Sequence, residues 1–276
     1  MSERRRKGDA MSGFAERKKG GLVYMTSPVI KANHAFSTRF GGVSEGGLAS
    51  LNLGFNRGDV RERVIENYRI LGAALGMDVM AAAYTKQVHG THVRLITDAD
   101  RCGPTDPSPC DSDGLVTNVK GLPIFCFTAD CVPLLLHDPV RSTAGAVHCG
   151  WRSSVGDIPG VAVGLMRDLG SEPGNICAAI GPAIGFCCFE TDADVPQAVE
   201  RWLGGDTAGL VREKDVPGKY LVDLRGAIRR RLIQLGLAPE HIDVSDECTM
   251  CLHEKYWSHR YTRGGVRGSQ CAVICL

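Results

Sequence analysis

The feature that most constrains the fold is a series of apolar segments in the centre of the chain, separated by short polar interruptions. Residues 115–127 contain a buried strand, residues 132–137 are apolar again, and residues 143–147 return to the same character. Runs of this length are typical of buried strands rather than of helices. Residues 138–141, Asp-Pro-Val-Arg, have the composition of a turn. The sequence therefore predicts a buried hairpin at the centre of the chain.

Helices and strands flank this hairpin without regular alternation. The spacing of apolar residues predicts helices over residues 60–76, 155–169 and 223–235, the last with Asp223 as its N-cap. Further strand-like segments occupy residues 83–96, 176–180 and 270–276. Such a mixture is typical of an α+β fold with mixed sheets, rather than of a Rossmann or barrel fold.

The first 25 residues differ in composition from the rest of the chain. Seven basic against three acidic side chains give residues 1–24 a charge of +4, in a chain whose net charge is only +1. The segment is rich in Gly and Ser, and it contains no apolar core of a secretory signal. We predict that residues 1–25 form a disordered, solvated tail rather than a tether to a membrane or nucleic acid. Residues 26–276 are expected to form a single domain.

The composition also excludes several classes of protein. No run of about 18 apolar residues is present, so no membrane span is expected. The near-neutral charge of the whole chain argues against a nucleic-acid partner. Twelve cysteines are scattered without the pattern of a disulfide framework, and two of them, Cys187 and Cys188, are adjacent. We interpret them as reduced thiols of a cytoplasmic protein.

The central hairpin brings together two residue types that bind metals well. If Asp138 pairs with Arg141 across the turn, Cys131 lies directly opposite His148. Directly opposed residues have Cβ atoms about 4.5–5.5 Å apart. That separation suits two ligands of one zinc ion, whose bonds to sulfur and nitrogen are about 2.0–2.3 Å long.

A third ligand must come from another part of the chain. His89, in the Gly-flanked segment Lys86–Gly90, is the best candidate. Two histidines and one cysteine leave a fourth position of a zinc ion open for water. Each residue also has an ordinary structural interpretation, Cys131 as a small core residue and the histidines as hydrogen-bonded or surface groups. The residue pattern alone leaves both interpretations open.

Other metal patterns in the sequence are weaker. Cys248 and Cys251 have CxxC spacing with His253 nearby, but no second CxxC completes a zinc ribbon. A multicopper centre is not expected, because no His-x-His pair is present and eight histidines are too few for one.

The sequence resembles the YfiH-like, or laccase-domain, family, whose members have been called polyphenol oxidases and peptidoglycan-editing factors. The resemblance runs from about Ala35 to Leu276, and TADC at 128–131 with HCGWR at 148–152 is its most specific part. It is also carried by STRFGGVS at 37–44, NLG at 52–54, KQVHG at 86–90, SDGLVT at 112–117, IGPAIG at 180–185 and SHRYTRGGVRG at 258–268. The chain departs from the family's usual pattern at Ser153, where Gly is usual, and at residues 259–261, His-Arg-Tyr instead of Tyr-Arg-Arg.

The resemblance implies a catalytic domain with a four-layer α/β/β/α arrangement, shared with some cysteine hydrolases. It implies a Zn²⁺ site formed by His89, Cys131 and His148, with copper as the alternative metal. The implied activity is phosphorolysis of adenosine, inosine and S-methyl-5′-thioadenosine, with adenosine deamination beside it. We expect Arg39 and Arg152 to bind phosphate, because guanidinium groups bind it bidentately.

Asp113 is expected either to orient a ligand histidine or to serve as a turn residue. Two other functions remain open at this point. One is a metal-free amide hydrolase or deamidase, in which Cys131 is the nucleophile and His148 its base. The other is a copper- or zinc-binding protein, or an editing factor that acts on cell-wall precursors.

Overall fold

The computed structural model describes residues 12–106 and 108–276, and within these ranges the chain forms two large sheets, one small sheet and five α-helices. The strands are β1 (Ala15–Lys19), β2 (Leu22–Thr26), β3 (Asn33–Ser37), β4 (Val93–Ile96), β5 (Gly114–Thr117), β6 (Ile124–Thr128), β7 (Val132–Asp138), β8 (Thr143–Cys149), β9 (Cys177–Ile180), β10 (Glu190–Thr191), β11 (Val211–Glu213), β12 (Tyr220–Val222), β13 (Ile242–Val244) and β14 (Gln270–Cys275). The helices are α1 (Arg61–Leu75), α2 (Trp151–Val155), α3 (Ile158–Asp168), α4 (Asp194–Trp202) and α5 (Leu224–Gln234). None of the helices in these ranges is long and apolar enough to cross a bilayer.

The five-stranded sheet has the order β1-β2-β3-β14-β6, and all of its neighbouring strands are antiparallel. The C-terminal strand β14 lies inside this sheet, where Ala272 pairs with Phe36 on one side and with Cys126 on the other. The predicted C-terminal strand is therefore confirmed. It lies between β3, from near the start of the chain, and β6, from just before its midpoint.

The six-stranded sheet has the order β13-β9-β7-β8-β5-β4. The predicted central hairpin forms its β7–β8 pair, and β13–β9 and β5–β4 are parallel pairs in an otherwise antiparallel sheet. The small sheet, β10-β12-β11, is antiparallel. The predicted α+β fold with mixed sheets is confirmed.

The two large sheets pack face to face, and helices cover their outer faces. In β7, Leu135 belongs to the core between the sheets, whereas its neighbours Leu134 and Leu136 belong to the core beneath α3 and α5. On the other side, Tyr68 and Leu71 of α1 pack against the outer face of the five-stranded sheet. Because neighbouring strand residues point to opposite faces, an apolar strand with both faces covered has no polar alternation. The layers give the predicted four-layer α/β/β/α arrangement.

The register of the central hairpin differs from the predicted one. Asp138 pairs with Thr143 rather than with Arg141, so Pro133 lies opposite His148 and Cys131 precedes the ladder. The Asp138 carboxylate accepts hydrogen bonds from the N–H groups of residues 140 and 141, at 2.8 and 3.2 Å. This side-chain turn stabilises a wider loop than the sequence suggested.

The basic head is partly folded, which corrects the prediction of a disordered tail over residues 1–25. Strands β1 and β2 form a hairpin through Gly20 and Gly21, and β2 continues into the sheet by pairing with β3. Leu22 and Met25 are buried in the core, whereas the basic residues of β1 are exposed on an edge strand. Lysines on an edge discourage pairing with other chains, so the charge has a structural use. The part of the predicted tail over residues 1–11 lies outside the described residues.

The other predicted elements are found with shifted ends. Helices α1 and α5 match their predictions, and the Asp223 carboxylate caps α5 by accepting the N–H of Gly226 at 3.0 Å. The predicted helix over residues 155–169 is divided between α2 and α3, because Asp157 has a φ of +67°. Within the predicted strand-turn-strand over residues 83–96, only β4 is a strand.

The folded head suggests a stability test at Asp243. This residue of β13 is 8 % exposed and accepts hydrogen bonds from the Ser27 hydroxyl at 2.5 Å and the Gly13 N–H at 2.9 Å. We expect Asp243→Ala to lower the free energy of unfolding by about 1–3 kcal/mol, because it leaves the buried Ser27 hydroxyl and the Gly13 N–H without their acceptor. Denaturant unfolding measures it, with the exposed Asp246→Ala as control. Equal stability of the two variants would show that the head does not depend on this contact.

Candidate metal centre and its cavity

The structure brings His89, Cys131 and His148 together from three separate segments. Their potential ligand atoms all lie within 4.8 Å of one another. Two nitrogens and one sulfur around a tetrahedral zinc ion are roughly 3.4–3.6 Å apart, given bonds of about 2.0–2.3 Å. The three side chains therefore need only small movements to bind one ion, and the chemistry of the donor set fits a transition metal.

Each member of the trio lies where a strand begins or ends. His148 is near the end of β8 and is 3 % exposed, and Cys131 is half-buried in the bend before β7. His89 is exposed on an irregular loop before β4, with a φ of +60°. The His89 and His148 rings meet edge to face, with centroids 4.8 Å apart. The trio thus has a rigid, buried side and an open side.

Asp113 holds two of the three ligands in place. Its buried carboxylate accepts the backbone N–H groups of Val88, His89 and Gly90 at 3.1, 3.0 and 2.8 Å. The same carboxylate lies 2.7 Å from Nδ1 of His148. A hydrogen bond at Nδ1 leaves Nε2 as the ligand atom and fixes the orientation of the ring. Of the two roles considered for Asp113, these contacts favour the orienting one.

The charge state of these groups follows from the same contacts. Burial opposes ionisation of Asp113, but its hydrogen bonds with His148 and the loop N–H groups hold the pKa of the carboxyl below its usual range. Burial also opposes the protonation of His148, yet Cys131 and Asp113 together raise the pKa of His148 to about 9. For His89, burial and the nearby His148 lower the pKa, so this imidazole is neutral at pH 7.

Asp130 fixes the bend that carries Cys131. The residue has a φ of +87°, and its side chain is 8 % exposed. Its carboxylate accepts the Thr249 hydroxyl at 2.7 Å and the Arg260 N–H at 2.6 Å, and its carbonyl accepts the Ile184 N–H at 2.9 Å. The TADC interruption is therefore held by the loops around residues 184, 249 and 260. Sequence reasoning did not single out Asp130.

Gly150 is required by a close approach rather than by its backbone conformation. Its φ of −65° and ψ of 160° are open to any residue. A Cβ atom at this position would lie 2.6 Å from Nδ1 of His89. Any larger residue would therefore displace His89 from the trio.

The trio lines a cavity of roughly 1210 Å³. This exceeds the usual size of a small-molecule pocket, so its volume does not limit it to one small ligand. Aromatic side chains form much of its wall, contributed by Phe55, Tyr68, Tyr84, Phe127, Trp151 and Phe189. Basic side chains form another part, contributed by Arg57, Lys86, Arg152, His259, Arg260 and Arg267. An aromatic wall suits a planar base, and guanidinium groups suit an anion.

Arg152 and Arg39, both expected to bind phosphate, have different positions. Arg152 lines the cavity, and its guanidinium lies 4.2 Å from the ring centroid of Trp151. Arg39 is not among the lining residues. Its guanidinium donates to the carbonyl groups of Ala49 and His253 and lies over the ring of Trp257, 4.0 Å from the centroid. These contacts favour a structural role for Arg39 over the expected phosphate role, because its donors already hold two loops together.

Sequence reasoning missed the other cavity arginines. Burial lowers the pKa values of Arg57 and Arg267, and the nearby positive charge of Arg57 lowers the pKa of Arg267 further. Arg267 and Arg260 belong to the SHRYTRGGVRG segment, which was the only signal that could have identified them. Arg57 and Arg267 both line the cavity, and two neighbouring guanidinium groups favour an anionic ligand between them.

The same residues also form an arrangement that needs no metal. Cys131 contacts His148, and His148 contacts Asp113, which is the order of a nucleophile, a base and an orienting carboxylate. His89 is what this alternative leaves unexplained, since a catalytic triad does not need a second histidine at the same point.

Asp113 provides the first test of the metal centre. We expect Asp113→Asn to weaken metal binding about 10- to 100-fold, because the amide offers fewer acceptor sites to the loop and to His148. A competition titration with a chelator measures the affinity. Asp111→Asn is the control, since Asp111 is exposed and its carboxylate pairs with Lys86 at 2.7 Å. Unchanged affinity in Asp113→Asn would refute the orienting role.

The raised pKa of His148 gives a second test. A histidine that binds a metal must be a neutral imidazole. The pKa of His148 of about 9 means that at pH 7 its ring is a cation, with one proton more than the neutral form. Binding must displace this proton, so affinity falls at least tenfold per pH unit below about pH 9. Chelator competition between pH 6 and pH 10 checks this slope. A pH-independent affinity below pH 9 would contradict the proton displacement.

Comparison with known proteins identifies the family of the chain. A "Purine nucleoside phosphorylase YlmD" from Geobacillus stearothermophilus is 35% identical over 265 residues, which cover 95% of this chain and 96% of that protein. A "Purine nucleoside phosphorylase" from Deinococcus radiodurans is 38% identical over 256 residues, covering 93% and 94%. The crystal structure of YlmD from Geobacillus stearothermophilus superposes with a TM-score of 0.89 at 34% identity, covering 96% of this chain and 98% of that one. Residues 33–276 match the family described as "Multi-copper polyphenol oxidoreductase laccase", and the chain belongs to this laccase-like family.

Proposed function

We propose that the protein is a zinc-dependent purine nucleoside phosphorylase that acts on adenosine, inosine and S-methyl-5′-thioadenosine. The observation that carries the proposal is the cavity itself, in which His89, Cys131 and His148 face aromatic and arginine walls. The names of the relatives from Geobacillus stearothermophilus and Deinococcus radiodurans, aligned over more than nine tenths of this chain, support the same activity.

Zinc fits the trio better than copper does. Three protein ligands with an open fourth position are typical of catalytic zinc, which supplies Lewis-acid chemistry and lowers the pKa of a water molecule. Blue-copper sites use a similar His₂Cys set but add a weak axial ligand, usually methionine. No methionine lines the cavity among the described residues. The chain has eight histidines, which are too few for a multicopper centre.

The protein's own residues have distinct roles in this proposal. The aromatic wall binds the purine base by stacking, and it excludes water from that part of the cavity. Arg152 binds phosphate, with Arg260 and Arg267 as further cationic groups on the same cavity. Phosphate held by guanidinium groups is placed for attack at C1′ while the glycosidic bond breaks. Asp113 keeps the two histidines in position throughout.

Adenosine deamination is the second proposed activity. The observation that favours it is the open side of the trio, which faces the cavity that would hold the base. In zinc deaminases, a water molecule activated at such a site attacks C6 of adenine. Deamination does not need phosphate, so the two activities can be separated by their dependence on phosphate.

Product analysis tests the proposed function. Purified protein is incubated with adenosine, inosine or S-methyl-5′-thioadenosine, with and without phosphate. We expect free base and a ribose 1-phosphate only with phosphate, and inosine from adenosine in both conditions. A chelator should abolish both activities, whereas a thiolate hydrolase using Cys131 and His148 would keep working. The absence of turnover with every nucleoside would instead favour a metal-binding or cell-wall-editing role.

Arg152 separates phosphate binding from metal binding. We expect Arg152→Ala to retain its metal and to lose phosphorolysis by about 10- to 100-fold, because one charge-assisted contact contributes about 1.5–3 kcal/mol. Deamination should change much less, because it needs no phosphate. Initial rates of adenine and inosine formation over a phosphate titration measure the difference. The exposed Arg141→Ala is the control, and equal loss of both products in Arg152→Ala would exclude the phosphate role.

A further inference from the structure

A second group of metal-binding side chains lies outside the trio. Cys187, Cys188, Cys248 and Cys251 place their sulfur atoms within 4.8 Å of one another. Sγ of Cys251 is 3.6 Å from that of Cys187 and 3.4 Å from that of Cys188. Four sulfurs around a single zinc ion are about 3.8 Å apart, given Zn–S bonds of about 2.3 Å. The four thiols thus already have the spacing of ligands to one ion.

The fold explains why two distant pairs of cysteines meet. Cys187 and Cys188 follow β9, and Cys248 and Cys251 follow β13. Strands β9 and β13 are parallel neighbours, so the segments after their carboxyl ends leave the sheet at the same edge. Backbone contacts then hold the segments together, because the Thr249 N–H donates to the Ala183 carbonyl at 3.0 Å.

We propose that Cys187, Cys188, Cys248 and Cys251 bind a structural zinc ion, separate from the ion of the trio. All four donors are sulfur, and four sulfurs in a tetrahedral arrangement select zinc or iron. The CxxC pair supplies two ligands, as in zinc ribbons, and the adjacent pair replaces the second CxxC. His253, which follows the CxxC pair in sequence, takes no part, because its ring stacks on Tyr261 with centroids 3.5 Å apart.

A single ion satisfies the group better than disulfide bonds do. Sγ of Cys251 is nearly equidistant from Cys187 and Cys188, so it has no single preferred disulfide partner, and such even spacing is typical of ligands that share one ion. The N–H group of Gly185 points at Sγ of Cys248, 3.2 Å away, and such a donor stabilises a thiolate that binds a metal. Cys187 and Cys251 are exposed, which gives an ion a path of entry.

The proposed ion lies behind the wall of the cavity. Thr249, between the two cysteines of the CxxC pair, donates its hydroxyl to Asp130 at 2.7 Å. Arg260 donates to the carbonyl groups of Cys188 and Glu190, at 3.4 and 3.0 Å, and its N–H also contacts Asp130. The ion would therefore hold together the two segments that position the bend before Cys131. Its role is structural, because none of the four cysteines lines the cavity.

Metal analysis of the full chain, purified without chelators under reducing conditions, tests the proposal. We expect two zinc ions per chain in the unaltered protein. Cys251→Ser should hold one, Cys131→Ala should hold one, and the double variant should hold none. Cys110→Ser, which changes an exposed cysteine outside both groups, should hold two. Equal zinc in Cys251→Ser and the unaltered protein would overturn the proposal, and so would iron in place of the second zinc.

A measurement on the unaltered protein covers the case in which Cys251→Ser fails to fold. Iodoacetamide labelling followed by peptide mass spectrometry reports which thiols are protected. We expect Cys110 to react at once, and Cys187 and Cys251 to react only after a chelator is added, although all three are exposed. Immediate labelling of Cys187 and Cys251, or a disulfide between them, would overturn the proposal. Neither measurement uses enzyme activity, so its outcome is independent of the proposed phosphorolysis.

Discussion

The metal centre depends on one buried carboxylate, that of Asp113. An ionised carboxyl group is costly to bury unless hydrogen bonds replace its water. Here three successive backbone N–H groups of the His89 loop and the ring of His148 provide those bonds. The loop has little regular structure of its own, so the carboxylate sets its conformation. One interaction therefore fixes the loop that carries His89 and the ring orientation of His148.

The rest of the centre depends on where strands begin and end in the six-stranded sheet. Cys131 lies just before β7, Asp113 just before β5, and His148 is the last residue but one of β8. The apolar sequences of β7 and β8 bury both faces of this hairpin, so their ends are held rigidly. A site built on rigid strands keeps its geometry better than one built on loops alone. Only His89 is held by a loop, and Asp113 compensates for that.

The sequence predicted the trio but not the geometry that forms it. The argument from the hairpin required Cys131 to face His148 across the ladder, and the register places Pro133 there instead. The trio still forms because Asp130 holds Cys131 in a bend outside the ladder, through contacts with residues more than 50 positions away. Arg39 and the cavity arginines show the same limit. A guanidinium can bind a phosphate or a backbone carbonyl, and only the folded chain decides which.

Both groups of candidate metal ligands lie at one edge of the same sheet, and the topology accounts for this. The starts of β4, β5 and β7 coincide with the ends of β8, β9 and β13, as the pairings of Val93 with Gly114 and of Leu134 with Ile180 show. The antiparallel hairpin supplies the trio's Cys131 and His148, and the parallel pair β9–β13 supplies the four thiols. Asp130 connects the two groups, since its carboxylate binds Thr249 while its neighbour Cys131 faces the cavity. A change in the thiol group should therefore reach the cavity first through Asp130, before it affects the cores of the two large sheets.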